Sequence, residues 1–155
     1  MLKPILSEIF ERDLIKLKTE IELYTDSADM WIAGGDIINS AGNLTLHIIG
    51  NLNHYIGEVL GRTGYIRDRV NEFASAEVPR AELISSIDET RDIVERVIRS
   101  MDEEIFGQNY PIEVLDGTPT TGFFLIHLAV HLNYHLGQIN YHRRLLAKGF
   151  KGEQG

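Results

Sequence analysis

His127-Leu-Ala-Val-His131-Leu-Asn-Tyr-His135-Leu-Gly-Gln-Ile139 sets three histidines at a strict four-residue interval inside an apolar stretch. Four residues are just over one helical turn, so in a helix the imidazoles climb one face about 6 Å apart, each advanced by about 40°. Measured from His127, the side chains of Phe124, Leu128, Leu132 and Ile139 fall between about 60° and 140°. The histidines therefore border the core-facing arc of a helix that begins near Thr120 or Thr121 and runs to about Lys148, where Lys148-Gly149 supplies a stop.

Three further helical patterns precede this one. Ile5, Ile9, Phe10, Leu14, Leu17, Ile21 and Leu23 recur at spacings of three and four between Lys3 and Tyr24, with Glu8, Glu11, Lys16, Lys18 and Glu20 on the wet face. Ser40 is the N-cap expected for a second helix, whose apolar stripe is Leu44, Ile48, Leu52, Tyr55 and Val59. Pro79 is the expected first residue of a third, carrying Leu83, Ile84, Ile87, Ile93, Val94, Val97, Ile98 and Met101. Gly50 and Gly57 inside the second helix each cost about 1 kcal/mol relative to alanine, which calls for a compensating close contact or a kink.

The connections are unequal. Thr25 to Ile38 holds the only Trp and a Gly-Gly pair, and reads as a link with at most a short helical turn. Arg62 to Val78 is polar and reads as a long functional or capping loop. Ile112-Glu-Val-Leu115 is the one run resembling a strand. The sum is an all-α chain, a four-helix bundle with some connections long enough to cross it. Residues 1–150 are expected to form a single domain, with 151–155 a disordered tail.

Composition narrows the partners. Against 15 Lys and Arg stand 23 Asp and Glu, a net charge of -8 without a basic stripe, so nucleic acid and anionic membrane are not expected partners. No stretch approaches the length of a spanning helix and the first residues lack a signal-peptide core, which makes the cytoplasm the expected location. With no cysteine there is no thiolate ligand or nucleophile, and any sulfur chemistry must enter with a substrate.

His47, in the second helix, is the candidate to complete a three-imidazole set with two rungs of the ladder. Asn51 and Glu58 lie within about 40° of it, so polar groups also point inward there. Buried imidazoles need partners, because an unpaired polar group costs roughly 1–3 kcal/mol in a protein interior. A shared ion meets that need; hydrogen bonds to carbonyls, water or one another are the bland alternative. Three neutral nitrogens suit a divalent metal such as Zn, Ni or Fe(II), with a position left for substrate. The spacing leaves open which pair of the ladder is used. His54 and His142 lie two turns from His47 and His135, about 10 Å along the axis, too far to share an ion with them. Glu58 and Tyr55 are candidate acid–base groups, a solvated role being the alternative for Glu58. A His-Glu-x-x-His zinc motif, a Gly-x-Ser-x-Gly elbow and phosphate-binding loops are all missing.

His131-x-x-x-His135-x-Gly137-Gln138-Ile139, paired with Leu46-His47-Ile-Ile-Gly50-Asn51-Leu52, resembles the DinB-like superfamily over nearly the whole chain. The resemblance implies an up-up-down-down four-helix bundle with a divalent metal on His47, His131 and His135, and His127 adjacent but not a ligand. It also implies a homodimer acting on a small-molecule substrate. Characterised relatives include transferases and isomerases that use a low-molecular-weight thiol such as bacillithiol or mycothiol. On that reading the chain is a metal-dependent thiol S-transferase, and Arg62, Arg67 and Arg69 are candidates to meet an acidic thiol, with a solvated charge run as the alternative. Tyr134 and Leu136 depart from the usual pattern, where relatives often have a histidine and an arginine. A metal-dependent hydrolase and a non-catalytic metal-binding or dimerisation module are the other classes.

Overall fold

The computed structural model describes residues 1–147, so the expected Lys148-Gly149 stop and the 151–155 tail lie outside the described residues. Those residues fold into five α-helices: α1 (Leu2–Glu22), α2 (Ala41–Leu52), α3 (Arg69–Ala74), α4 (Arg80–Ser100) and α5 (Thr121–Ala147). Helix α1 forms where predicted and buries Phe10, Leu14, Leu17 and Ile21 of the expected stripe, but Ile5 and Leu23 are exposed and Leu6 is buried in the place of Ile5, each buried side chain contributing about 1.5–3 kcal/mol. Ser40 caps α2 as its sequence predicts, its Oγ accepting from the Asn43 N–H at 3.1 Å.

Beyond Leu52 the second helix widens into a π-helical segment, Asn53–Glu58, in which the Val59 N–H reaches back five residues to the His54 carbonyl. The cost of Gly57 there is met by close packing: a Cβ would stand 3.3 Å from Ile93 Cγ2.

Four long helices share one core. Helix α1 packs on α4 and α5, and α2 packs on the same two. Their directions follow from side-chain pairs. Lys3 donates to the Met101 carbonyl and Lys18 to Asp88, so α1 and α4 are antiparallel. His47 meets His131 while Tyr55 meets Phe124, so α2 and α5 are antiparallel. Asn53 donates to Thr90 and Gly57 abuts Ile93, so α2 and α4 are parallel. Asp13 accepts from Asn133, Glu20 accepts from Asn140 and Arg143, and Tyr24 bonds His142, so α1 and α5 are parallel.

The long helices therefore run up, down, down, up, which corrects the expected up-up-down-down order. The polar pairs between α1 and α5 explain why: antiparallel packing would strand Tyr24 and His142 at opposite ends of the interface. Glu20, expected on the wet face, is instead drawn into this seam. A single connection, residues 59–79 between the parallel α2 and α4, has to travel the length of the helices, about 30 Å for a 21-residue helix.

The links differ from expectation in three places. The predicted loop 62–78 contains α3, capped by Asp68, whose carboxylate accepts from the Asn71 N–H. Ile112–Leu115 is not a strand: Val114 and Gly117 pair across a tight turn with Leu115 and Asp116 at positive φ. Pro79 sits one residue earlier than expected, as the N-cap of α4. The 25–38 link does contain the short turn foreseen, a 3-10 turn at Ser27–Trp31.

Candidate metal centre

His47 stands on α2 with Asn51 one turn later; His131 and His135 stand on α5 one turn apart. Antiparallel packing brings the three rings together between the helices. The Nε2 atom of His131 lies 3.2 Å from Nε2 of His47 and 3.0 Å from Nε2 of His135. One ligand nitrogen from each ring falls within 4.8 Å of the others. The ladder's ambiguity is thereby removed: His131 and His135 face His47, while His127 stacks over Phe124 and His131 and stays outside the group.

The outer nitrogens show what the inner ones present. Nδ1 of His47 lies 3.1 Å from Glu72 Oε1, and Nδ1 of His135 lies 2.7 Å from Gln138 Oε1. His47 Nδ1 also stands 3.4 Å from Arg67 Nη2, a donor, but its shorter contact is to the carboxylate; with the Nδ1 protons directed at Glu72 and Gln138, each Nε2 turns a lone pair inward. A proton on His131 Nε2 satisfies one neighbour at most. Convergent lone pairs with no shared donor are the arrangement a cation completes, and the carboxylate–imidazole contact is the usual outer support of a metal-ligating histidine. Burial, reinforced by His135 and His47, pushes His131 down to about 4; burial also lowers His47. Both rings are therefore neutral at pH 7, the state in which an imidazole can ligate a metal.

Glu72 is the residue that sequence reading missed. It enters from α3, is 6% exposed, and receives both Arg67 Nε and Nη2 at 2.8 Å. Arg67 is thus committed to Glu72 and is not free to meet an acidic co-substrate, while Arg62 and Arg69 remain exposed. The available signal was Gly50, where a Cβ would overlap the Glu72 carboxylate. The close contact predicted for that glycine is this one.

The other candidates separate cleanly. His142 is buried between Tyr24 Oη at 2.7 Å and the Ile32 carbonyl at 2.8 Å, and His54 lies against Tyr55. Glu58 holds the Gly64 N–H, closing the turn after the π segment. Tyr55 packs edge-on to Phe124 beside the triad.

Two cavities flank the centre. One of about 520 Å³ opens beside His135 and Gln138, walled by Ile37, Leu44, Tyr134 and Tyr141. The other, about 180 Å³, opens beside His131 and is lined by Asn51, Tyr55, Glu113, Leu115 and His127. Tyr134 thus borders the larger cavity, whereas Leu136 is buried in the core.

Among the described residues no helix is long and apolar enough to cross a membrane. The family model described as "Protein of unknown function (DUF1572)" matches residues 13–153. No curated protein matches the chain.

Proposed function

As this chain belongs to the DUF1572 family, whose function is unknown, we propose its function from the site itself: a DinB-like four-helix-bundle protein that binds a divalent metal on His47, His131 and His135 and transfers a low-molecular-weight thiol to a small electrophile. The convergence of three Nε2 atoms, with the outer nitrogens of His47 and His135 held by Glu72 and Gln138, carries the metal reading. Three imidazole nitrogens with room beside them match a catalytic rather than a closed structural set, and suit Zn, Ni or Fe(II).

When bound, the ion supplies Lewis acidity that lowers the pKa of a ligated thiol. The chain's own groups do the rest. Glu72 and Gln138 fix the tautomers of His47 and His135; Arg67 holds Glu72 in place. The lack of cysteine requires the sulfur to come from a co-substrate. Separate cavities, one lined by His135 and the other by His131, give thiol and electrophile separate approaches, which favours a two-substrate transfer over hydrolysis. Residues 1–150 act as one domain in this reading, located in the cytoplasm, with neither nucleic acid nor membrane as partner.

A homodimer accompanies the proposal. On α5 the residues Phe123, Ile126, Val130, Tyr134 and Tyr141 fall within about 80° of one another and are 46–65% exposed, while the opposite face is core. A helix apolar nearly all round seeks cover on its outer face, and an apolar stripe about 27 Å long matches a second copy of itself.

The test is elemental analysis of protein purified without chelators, comparing wild type with His47→Ala and His135→Ala, followed by electrophile-consumption assays with and without added thiol. Near-stoichiometric metal lost in both variants and thiol-dependent turnover are expected. Turnover without thiol would replace transfer by hydrolysis; an absence of metal after reconstitution would leave a non-catalytic module.

A further inference from the structure

We infer that Asn51 Nδ2 and the Tyr55 hydroxyl form a donor pair that receives the carbonyl oxygen of a small neutral ligand in the 180 Å³ cavity beside His131; that this ligand is the electrophile of the transfer rests on the function proposed above. Asn51 is 8% exposed, and the two ends of its amide differ. Its Oδ1 is sealed from solvent, whereas Nδ2 is the end that water reaches and has no acceptor among the described residues. Turning the amide over would bury two N–H groups in place of one oxygen, a costlier arrangement. The donor end therefore faces the cavity that Asn51 lines.

Tyr55 brings the second donor. It lies one turn beyond Asn51 within the π-helical segment, where each residue advances less around the axis than in an α-helix, so its side chain stays near the face of His47 and Asn51. Segments of this kind recur at functional sites. The Tyr110 hydroxyl donates to the Tyr55 carbonyl at 2.6 Å, Phe124 meets the ring edge-on at 5.2 Å, and the Arg67 guanidinium stands 5.8 Å from the ring centre, so the ring is held in place. Its own hydroxyl has no hydrogen-bond partner among the described residues. Two unpaired donors on adjacent turns match one acceptor oxygen. Glu113 on the same wall disfavours a carboxylate, which leaves a neutral carbonyl. The volume, that of about six waters, admits a ketone, ester or amide of a few carbons and excludes a peptide or nucleotide. Because a site built to bond an oxygen leaves its own donors unpaired when that oxygen is missing, the pair discriminates against analogues lacking it.

The experiment is an NMR titration of the metal-free protein with cyclopentanone, which has a carbonyl oxygen and no donor, and with cyclopentene, a ring of similar size without the oxygen. Cyclopentanone is expected to shift the Asn51 side-chain NH2 resonances saturably. Tyr55→Phe removes one oxygen, and Asn51→Leu keeps the shape without the donor. Each is expected to weaken cyclopentanone about three- to tenfold with cyclopentene unchanged, the scale of one hydrogen bond. Should leucine disturb folding, Tyr55→Phe and the wild-type NH2 shifts decide alone. Equal losses for both probes, unchanged cyclopentanone affinity in either folded variant, or wild-type NH2 resonances that do not respond overturn the assignment. Because no metal is present, a failure of metal uptake sinks the metal reading and leaves this result standing.

Discussion

His47 and Glu72 are 25 residues apart in sequence, yet Nδ1 of one stands 3.1 Å from Oε1 of the other in the interior. That contact fixes which nitrogen of His47 faces the centre, and it exists because Gly50 leaves room for the carboxylate. Glu72→Gln keeps the shape but weakens the acceptor, and is expected to lower metal affinity about 10–100-fold. Gly50→Ala, which forces the carboxylate aside, should reproduce much of that loss. Competition with a chromophoric chelator measures both; wild-type affinity in each would sink the role given to Glu72.

The ladder makes a sharper prediction about which rungs matter. His131→Ala, His47→Ala and His135→Ala should all abolish stoichiometric metal, whereas His127→Ala should retain it, since His127 only stacks on its neighbour. Loss of metal in His127→Ala would mean that the ladder is used one turn lower than the geometry places it.

Arg67 and Glu72 form a buried pair, their side chains 13% and 6% exposed. Arg67→Met leaves a carboxylate without its cation and is expected to destabilise the fold by about 3 kcal/mol. Pairing it with Glu72→Gln should recover most of that loss, because the stranded charge is then gone. Urea unfolding of the two singles and the double decides it; additive losses would show that the two residues do not act as a pair.

Acid should weaken the metal-free protein in a defined window. His131 is held at about 4 against an ordinary 6.5 by burial and then by its imidazole neighbours. Its folded pKa is depressed, so between those values the unfolded chain binds a proton that the folded chain refuses. The stability is fully present above pH 6.5 and is lost as pH falls to about 4, roughly 1–2 kcal/mol once solvent screening of a partly exposed ring is allowed for. His131→Gln should flatten this part of the pH profile. An unchanged slope in that variant would place the acid sensitivity elsewhere.

Val130, 62% exposed at the middle of the α5 stripe, tests the homodimer. Val130→Glu is expected to convert a dimer to a monomer in light scattering while leaving the circular dichroism and metal content of the monomer intact. A wild type that is monomeric at every concentration would remove the dimer from the proposal.

Much of the secondary structure was legible because helix formation is local. The middle of the first helix's stripe, Phe10 to Ile21, the Ser40 cap and the histidine ladder each follow from contacts within a few residues, and the structure forms each where the sequence puts it, whereas the stripe's expected ends, Ile5 and Leu23, face outward. Glu72 was illegible: its helix has only six residues, too short to show an inward face, and its burial depends on the distant Gly50. The turn at Leu115 resembles a strand in the sequence because four residues, three of them apolar, are too few to carry a usable period.

By itself, then, the sequence determined that long amphipathic helices form, that polar groups face inward on two of them, and that three imidazoles repeat at one turn. Tertiary packing alone decided the rest: the up-down-down-up order, the choice of His131 and His135 over His127, and the capture of Glu72 behind His47. The reason is range. A helical period places side chains around one axis, but which rungs of two helices meet depends on the relative direction and register of those axes. Here these are set by the pairing of Asp13, Glu20 and Tyr24 with partners more than a hundred residues away.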